Sequence, residues 1–142
     1  MARIGLLEDN ARIAKLSATM LQFAGHSVEI YEHPGACLKA LMLPLAKSEG
    51  KIQTLFSYRP HLPIEVLILD LQLPEITGIE VLRHLQSHAH TRNLPLIFCT
   101  AANPSEVSQA LRLAPHAMVV EKPFKLDVLV SAVLSALGTK KA

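Results

Sequence analysis

The sequence predicts an α/β fold in which a five-stranded parallel sheet is doubly wound, with helices on both faces. Three observations predict it. Short apolar runs alternate with longer amphipathic stretches five times from one end of the chain to the other. The runs are too apolar for a sheet with one wet face, as in "VLILD" and "LIFC", which suits strands buried on both sides. Parallel strands also require crossovers, and right-handed crossovers favour the doubly wound arrangement.

The elements follow in order. "ARIGLL" reads as the first strand, and a helix follows from about Asn10 to Ala24, with Ile13, Leu16, Met20 and Leu21 at helical spacing. Asn10 suits the N-cap and Gly25 the stop. In "HSVEIYE", Val28 and Ile30 alternate with polar neighbours as in a strand, and the next helix runs from about Pro34 to Leu43, ending near Pro44. "IEVLILDL" is the third strand, and "TGIEVLRHLQSH" its helix, with Ile79, Leu82 and Leu85 on one side. "LPLIFCTA" and "PSEVSQALRLA" form the fourth pair. "AMVVEKPF" and "KLDVLVSAVLSALG" form the fifth, the last helix stopping at Gly138 with Val128, Leu129, Ala132, Val133 and Ala136 mostly in the core. An exposed remainder of that helix would serve as a homodimer or partner surface. One segment breaks the rhythm: residues 45–63 read as an inserted surface connection in a single domain of residues 1–142, or as an extension of the second helix before the chain turns, with Leu55, Phe56 and Tyr58 clustered in it.

Composition narrows the function classes. Half of the 142 residues are hydrophobic and 18% are charged, with no Trp, so the core is aliphatic and the composition argues against disorder. Net charge is +2 without a basic stripe, which argues against direct nucleic-acid binding. Cys37 and Cys99 lack metal-site or redox spacing and read as packed thiols of a reducing cytoplasm. No apolar run approaches the roughly 18 residues of a membrane span, and "MARIGLLEDN" meets acids too early for a signal peptide.

Ligands of open parallel sheets collect at the carboxyl ends of the strands. There the sequence places Glu8 and Asp9, then Asp70, Thr100 and Lys122. Singly, each has a bland explanation as a cap, a turn residue or solvated surface. Together, three carboxylates repel one another unless a cation is present, and hard oxygen donors with room for water suit Mg²⁺. A carboxylate beside Mg²⁺ and a lysine acts as a nucleophile toward phosphorus, with the metal, the ammonium and the Thr100 hydroxyl meeting the phosphoryl oxygens. The reading is a phosphoryl-accepting site.

The pair Glu8-Asp9, "LILDLQLPEITG", "FCTA" and "EKPF" resemble, in order and across nearly the whole chain, the receiver domain of bacterial two-component response regulators, chemotaxis-regulator-like. The resemblance implies a flavodoxin-like (βα)5 three-layer sandwich with strand order 2-1-3-4-5. It implies that Asp70 is the phosphoacceptor, taking its group from a phosphohistidine of a sensor histidine kinase or histidine phosphotransfer protein. It implies that Glu8, Asp9, Asp70 and the backbone carbonyl of Gln72 hold Mg²⁺, that Lys122 contacts the phosphate and that Thr100 senses it. Pro74 and Gly78 match the turn after the phosphoacceptor, and Lys122-Pro123 matches the family's cis peptide bond. Docking of the phosphodonor would use Ile13 and Leu16 with Pro123 and Phe124, the contact also involving Ala11 and Ala14.

The spacing of 30 positions from Asp70 to Thr100 and 22 from Thr100 to Lys122 agrees with the family, whereas the 61 from Asp9 to Asp70 is longer and locates the insertion. Val119 stands where the family usually carries an inward-turning aromatic, so the signal passes by shifts after Thr100, or the domain relays or drains phosphoryl groups. Gln72 and Ala102 flank the site and would influence acyl-phosphate lifetime.

As a signalling domain the chain would catalyse only its own phosphorylation and dephosphorylation, passing the signal to a downstream protein or a fused output domain. Only "TKKA" follows "ALG", consistent with a stand-alone regulator or a receiver cut from a longer chain. A haloacid dehalogenase-type phosphatase would need a second acid at Gln72. A flavodoxin-like redox protein would need a Ser/Thr/Gly-rich loop in place of "LLEDNARIA", and a pseudo-receiver would lack some of the five site side chains. In "RHLQSHAH", His84 and His88 share the spacing of one helical face, a pattern that more often marks a solvated helix end than a metal site.

Overall fold

The computed structural model describes residues 2–47, 62–73, 77–101, 104–122 and 125–141. Five strands, β1 (Arg3–Leu7), β2 (Ser27–Tyr31), β3 (Val66–Asp70), β4 (Leu96–Thr100) and β5 (Met118–Glu121), form one parallel sheet in the order β2-β1-β3-β4-β5. Every residue of β3 and β4 is buried, the outcome expected of central strands covered on both faces. β2 lies at an edge and leaves Ile30 exposed.

Between the strands run α1 (Ala11–Phe23), α2 (Pro34–Lys47), α3 (Gly78–Gln86), the single turn α4 (Ala89–Arg92) and α5 (Pro104–Leu113), and α6 (Leu126–Lys141) follows the last strand. Two aliphatic layers flank the sheet. Cys37 and Leu41 of α2, Ile79, Val81, Leu82 and Leu85 of α3 and Ala110 of α5 pack on one face. Ala14 and Leu21 of α1 pack on the other with Leu129, Ala132, Val133 and Ala136 of α6.

Local chemistry sets the boundaries that position the strand ends. The Asn10 side chain accepts from the backbone N–H groups of Arg12 (3.0 Å) and Ile13 (3.1 Å), fixing the start of α1 one residue past the acidic pair. Gly25, at φ +100°, ends that helix in the left-handed region that residues with a Cβ avoid. Thr77 caps α3, its hydroxyl accepting from Glu80 N–H at 3.2 Å.

Four expectations need correction. α2 does not end near Pro44 but continues to Lys47. Pro44 has no N–H to donate back to the preceding turn, and the helix nonetheless continues for three more residues. α6 does not stop at Gly138, which lacks the positive φ of a terminating glycine, and the helix runs on to Lys141. His88 does not share a helix with His84: α3 ends at Gln86, and His88 is the N-cap of the unforeseen turn α4. Val128 is exposed rather than in the core, while its four companions on α6 are buried.

Of the 45–63 connection, residues 48–61 lie outside the described residues, Leu55, Phe56 and Tyr58 among them. Pro74, Ala102, and Pro123 with its preceding peptide bond and Phe124 also lie outside them. Among the described residues, no helix is long and apolar enough to cross a membrane.

Candidate functional site

The carboxyl ends of β1, β3, β4 and β5 meet at one edge of the sheet, and the five site residues expected from the sequence are all there. Asp70 is the last residue of β3 and Thr100 the last of β4; Glu8 and Asp9 follow β1, and Lys122 follows β5. The parallel register explains the convergence, since it aligns Asp70 with Cys99 and Thr100 with Glu121. The backbone N–H of Lys122 donates to the carbonyl of Thr100 at 2.8 Å, extending the ladder by one residue and anchoring the lysine beside the threonine.

Glu8 and Asp70 are both buried, whereas Asp9 is exposed. One carboxylate oxygen from each of the three lies within 4.8 Å of the others. The Lys122 ammonium sits between the two buried acids, donating to Glu8 Oε1 at 2.9 Å and to Asp70 Oδ2 at 3.1 Å. The other Asp70 oxygen, Oδ1, accepts from Gln72 N–H at 2.9 Å, and Glu8 Oε2 accepts from Asn10 N–H at 3.2 Å. Each buried carboxylate is thus held by one cation and one backbone donor, which fixes its orientation.

Burial pushes the Glu8 carboxyl above its ordinary range, and the negative charge of Asp70 adds to that. The hydrogen bonds from Lys122 and from the Asn10 backbone oppose it without cancelling it. Burial works against the Lys122 ammonium too, but its hydrogen bond to Glu8 and the charges of Asp70 and Glu8 outweigh this and raise its pKa.

Thr100 is 1% exposed, and its hydroxyl oxygen has no hydrogen-bond partner among the described residues. A buried hydroxyl with nothing to bond is unusual and calls for a reason in the chemistry of the site. An all-oxygen donor set with one exposed member fits a hard, hydrated divalent cation, and it does not fit a soft or imidazole-preferring metal.

Two features escaped sequence reasoning. A Cβ on Gly78 would lie 2.6 Å from Asp70 O and 2.6 Å from Leu71 Cα, so the start of α3 is in backbone contact with the end of β3 and the residue that follows it. Gly78 N–H donates to Leu71 O at 3.2 Å across that contact. The sequence signalled a turn there but not which atoms it touched. The other is the pairing of Lys122 with both acids at once, which depends on three loops. Val119 is paired with Phe98 in the sheet and is 37% exposed, so the place of the usual aromatic holds a small, half-open aliphatic side chain. Ile13 is half-buried and Leu16 is 58% exposed on α1.

Comparison with known proteins points the same way. The family model for the response regulator receiver domain matches residues 4–134. Among curated proteins, the chain is 23% identical over 133 residues to the polar-differentiation response regulator DivK of Brucella ovis, covering 94% of each. It is 32% identical over 81 residues to a probable cyclic di-GMP phosphodiesterase of Vibrio cholerae, a match covering 56% of this chain and only 18% of that protein. Among solved structures, the fold is similar to that of the Vibrio cholerae chemotaxis protein CheY4, with a TM-score of 0.73, 22% identity and coverage of 96% of this chain and 99% of that one.

Proposed function

The chain belongs to the response regulator receiver domain family, and on that premise we propose that Asp70 accepts a phosphoryl group from a phosphohistidine of a sensor kinase or phosphotransfer protein. A carboxylate oxygen of Asp70 attacks phosphorus, the phosphorus–nitrogen bond breaks, and the imidazole departs with the electron pair of that bond. Lys122, already 3.1 Å from Asp70, offsets the negative charge gathered on the phosphoryl oxygens. The unpartnered hydroxyl of Thr100 has a donor free for one of those oxygens. The observation that carries this reading is the meeting of three carboxylates and one ammonium at a single sheet edge, with Asp70 held by Lys122 on one oxygen and by Gln72 N–H on the other.

Glu8, Asp9 and Asp70, with the backbone carbonyl of Gln72, would hold Mg²⁺. When bound, the metal supplies charge neutralisation for the phosphoryl group. A phosphatase of the haloacid dehalogenase type is not favoured, because the family match spans nearly the whole chain and Gln72 offers no second acid.

In this reading residues 1–142 form one receiver domain with an insertion at 45–63, acting in the cytoplasm and passing its signal on through protein contacts, to a separate target or to a fused output domain. The exposed Leu16 and its neighbour Ile13, with Pro123 and Phe124, form the docking surface for the phosphodonor.

Intact mass after incubation with acetyl phosphate, with and without Mg²⁺, tests the reading. A phosphoryl adduct that requires Mg²⁺ and is absent from Asp70→Ala is expected. An adduct that persists in Asp70→Ala would overturn the assignment.

A further inference from the structure

On the reading of Glu8, Asp9 and Asp70 as a Mg²⁺ site, we infer that Asn10 is a positioning residue for that site. The side chain that caps α1 also fixes the backbone N–H that holds Glu8, so the cap sets how tightly the cluster takes the ion. Only Glu8, Asp9 and Asn10 separate β1, which ends at Leu7, from α1, which begins at Ala11. Asn10 stands between the cluster and the helix and is bonded to both.

On the helix side, Asn10 is extended, with φ −82° and ψ 108°, and its Oδ1 accepts from the N–H groups of Arg12 and Ile13 at 3.0 and 3.1 Å. Its carbonyl accepts from Ala14 N–H at 2.9 Å. These bonds hold the cap residue in place against the first turn. On the cluster side, its own N–H lies 3.2 Å from Glu8 Oε2. In a capping box that N–H is taken by a Glu or Gln at the third helical position. Here the third position is Ile13, and Glu8 takes the donor from the strand side instead.

The bond from Asn10 to Glu8 closes a turn around Asp9, so it settles two of the three acids at once. Glu8 Oε1 accepts from Lys122 at 2.9 Å and Oε2 from Asn10 N–H. A carboxylate oxygen has about two lone pairs, so Oε2 keeps one for the cation or for a water bound to it. Without the Asn10 side chain, the N–H groups of Arg12 and Ile13 turn to water, the first turn of α1 frays, and the donor to Glu8 moves with it. Groups that orient metal ligands are worth about 10–100-fold in affinity. Asn10→Ala removes the support of such a donor rather than the donor itself, which puts the loss near the lower figure.

The test is a Mg²⁺ titration of the full chain followed by amide ¹H–¹⁵N spectra, together with the rate of adduct formation from acetyl phosphate across the same Mg²⁺ range. Asn10→Ala should bind Mg²⁺ about 10-fold more weakly and need about 10-fold more of it for half-maximal rate. At saturating Mg²⁺ its rate should approach that of wild type, since Asn10 touches neither metal nor phosphoryl group. Asn10→Ser, whose hydroxyl caps as well as an amide, should restore the affinity to within about 3-fold. Asn10 is exposed, so neither variant opens a gap in the core. Thr91→Val isolates stability: it removes the buried hydroxyl that donates to Leu85 O at 2.6 Å, shares no partner with the acids, and should lower the melting temperature while leaving Mg²⁺ affinity within about 2-fold. Wild-type affinity in Asn10→Ala, no rescue by Asn10→Ser, or an equal loss in Thr91→Val would each overturn the role of Asn10. A wild-type chain that takes no Mg²⁺ would overturn the metal site itself, and Asn10 with it.

Discussion

Gly78→Ala tests whether the backbone contact behind Asp70 sets its position. The added Cβ would stand 2.6 Å from both Asp70 O and Leu71 Cα and 3.2 Å from Leu71 C. Ordinary contacts of a Cβ begin near 3.4 Å, so two backbone atoms are overlapped by about 0.8 Å, and neither can rotate aside as a side chain would. Either α3 must back away from the sheet or the loop after β3 must shift. Overpacking of this kind costs about 1–3 kcal/mol, against a helix-propensity gain of at most ~1 kcal/mol. The expected net loss is about 0–3 kcal/mol, or up to roughly 10–15 °C in melting temperature for a chain of this size. A displacement of the Asp70 carboxylate approaching 1 Å would slow its reaction with acetyl phosphate by up to ~100-fold. Thermal unfolding and a time course of intact mass measure the two effects. Gly138→Ala is the matched control: nothing lies within 4 Å of its Cβ and the backbone is helical, so it should be neutral or stabilising by up to ~1 kcal/mol. If Gly78→Ala melts and reacts as wild type does, the contact does not position Asp70.

Thr100→Val keeps the shape of the side chain and removes the unpartnered hydroxyl, so it should raise the melting temperature, by about 1 kcal/mol of stability, while slowing adduct formation; a lower melting temperature would show that the hydroxyl is satisfied. Burial raises the thiols of Cys37 and Cys99 to about 12, leaving roughly 10⁻⁴ as thiolate at pH 8. Iodoacetamide should therefore leave the native protein unmodified and label both cysteines after unfolding, and native labelling would contradict the packing described. His26 is buried and its Nδ1 accepts from Ala2 N–H at 3.0 Å, and burial lowers its pKa below 6.5. The unfolded chain thus takes up the proton first, so this stability is complete above pH 6.5 and is lost as pH falls through the folded value. Melting temperature should fall more steeply from pH 7 to 5 in wild type than in His26→Gln, and equal slopes would remove His26 from the account.

The strands and five site residues were legible because both signals are local. A run such as "VLILD" states its own burial, and in a parallel sheet the residue ending a run has only one edge to occupy. Helix ends were less legible because Pro44 and Gly138 disfavour a helix without forbidding it, and both α2 and α6 run past them. The turn α4 was invisible because Thr91 secures it from a distance, its buried hydroxyl donating to Leu85 O at 2.6 Å. The hydrophobic pattern of α1 located the helix but could not tell its buried face from a docking face, since Leu16 and Phe23 are as apolar as Leu21 and stand exposed.

The sequence named the charges at the site but not their balance. Ionised, Glu8, Asp9 and Asp70 carry three negative charges and Lys122 one positive, leaving the deficit that a single divalent cation meets. Lys122 holds Glu8 at 2.9 Å and Asp70 at 3.1 Å, so its charge is shared between the proposed phosphoacceptor and the neighbouring acid. A phosphoryl group on Asp70, as proposed, would move negative charge outward, away from Glu8, and would draw the lysine toward it. Glu8, whose carboxyl burial already disfavours as an anion, is then left without its partner. Such a pull on Lys122, which follows β5, would reach β4 as well, because its backbone N–H is bonded to the carbonyl of Thr100, whose hydroxyl has no partner among the described residues. On the proposed reading, phosphorylation of Asp70 would act on the ends of β4 and β5 together, through a lysine and a threonine that share a backbone hydrogen bond, a route that needs no aromatic side chain at Val119.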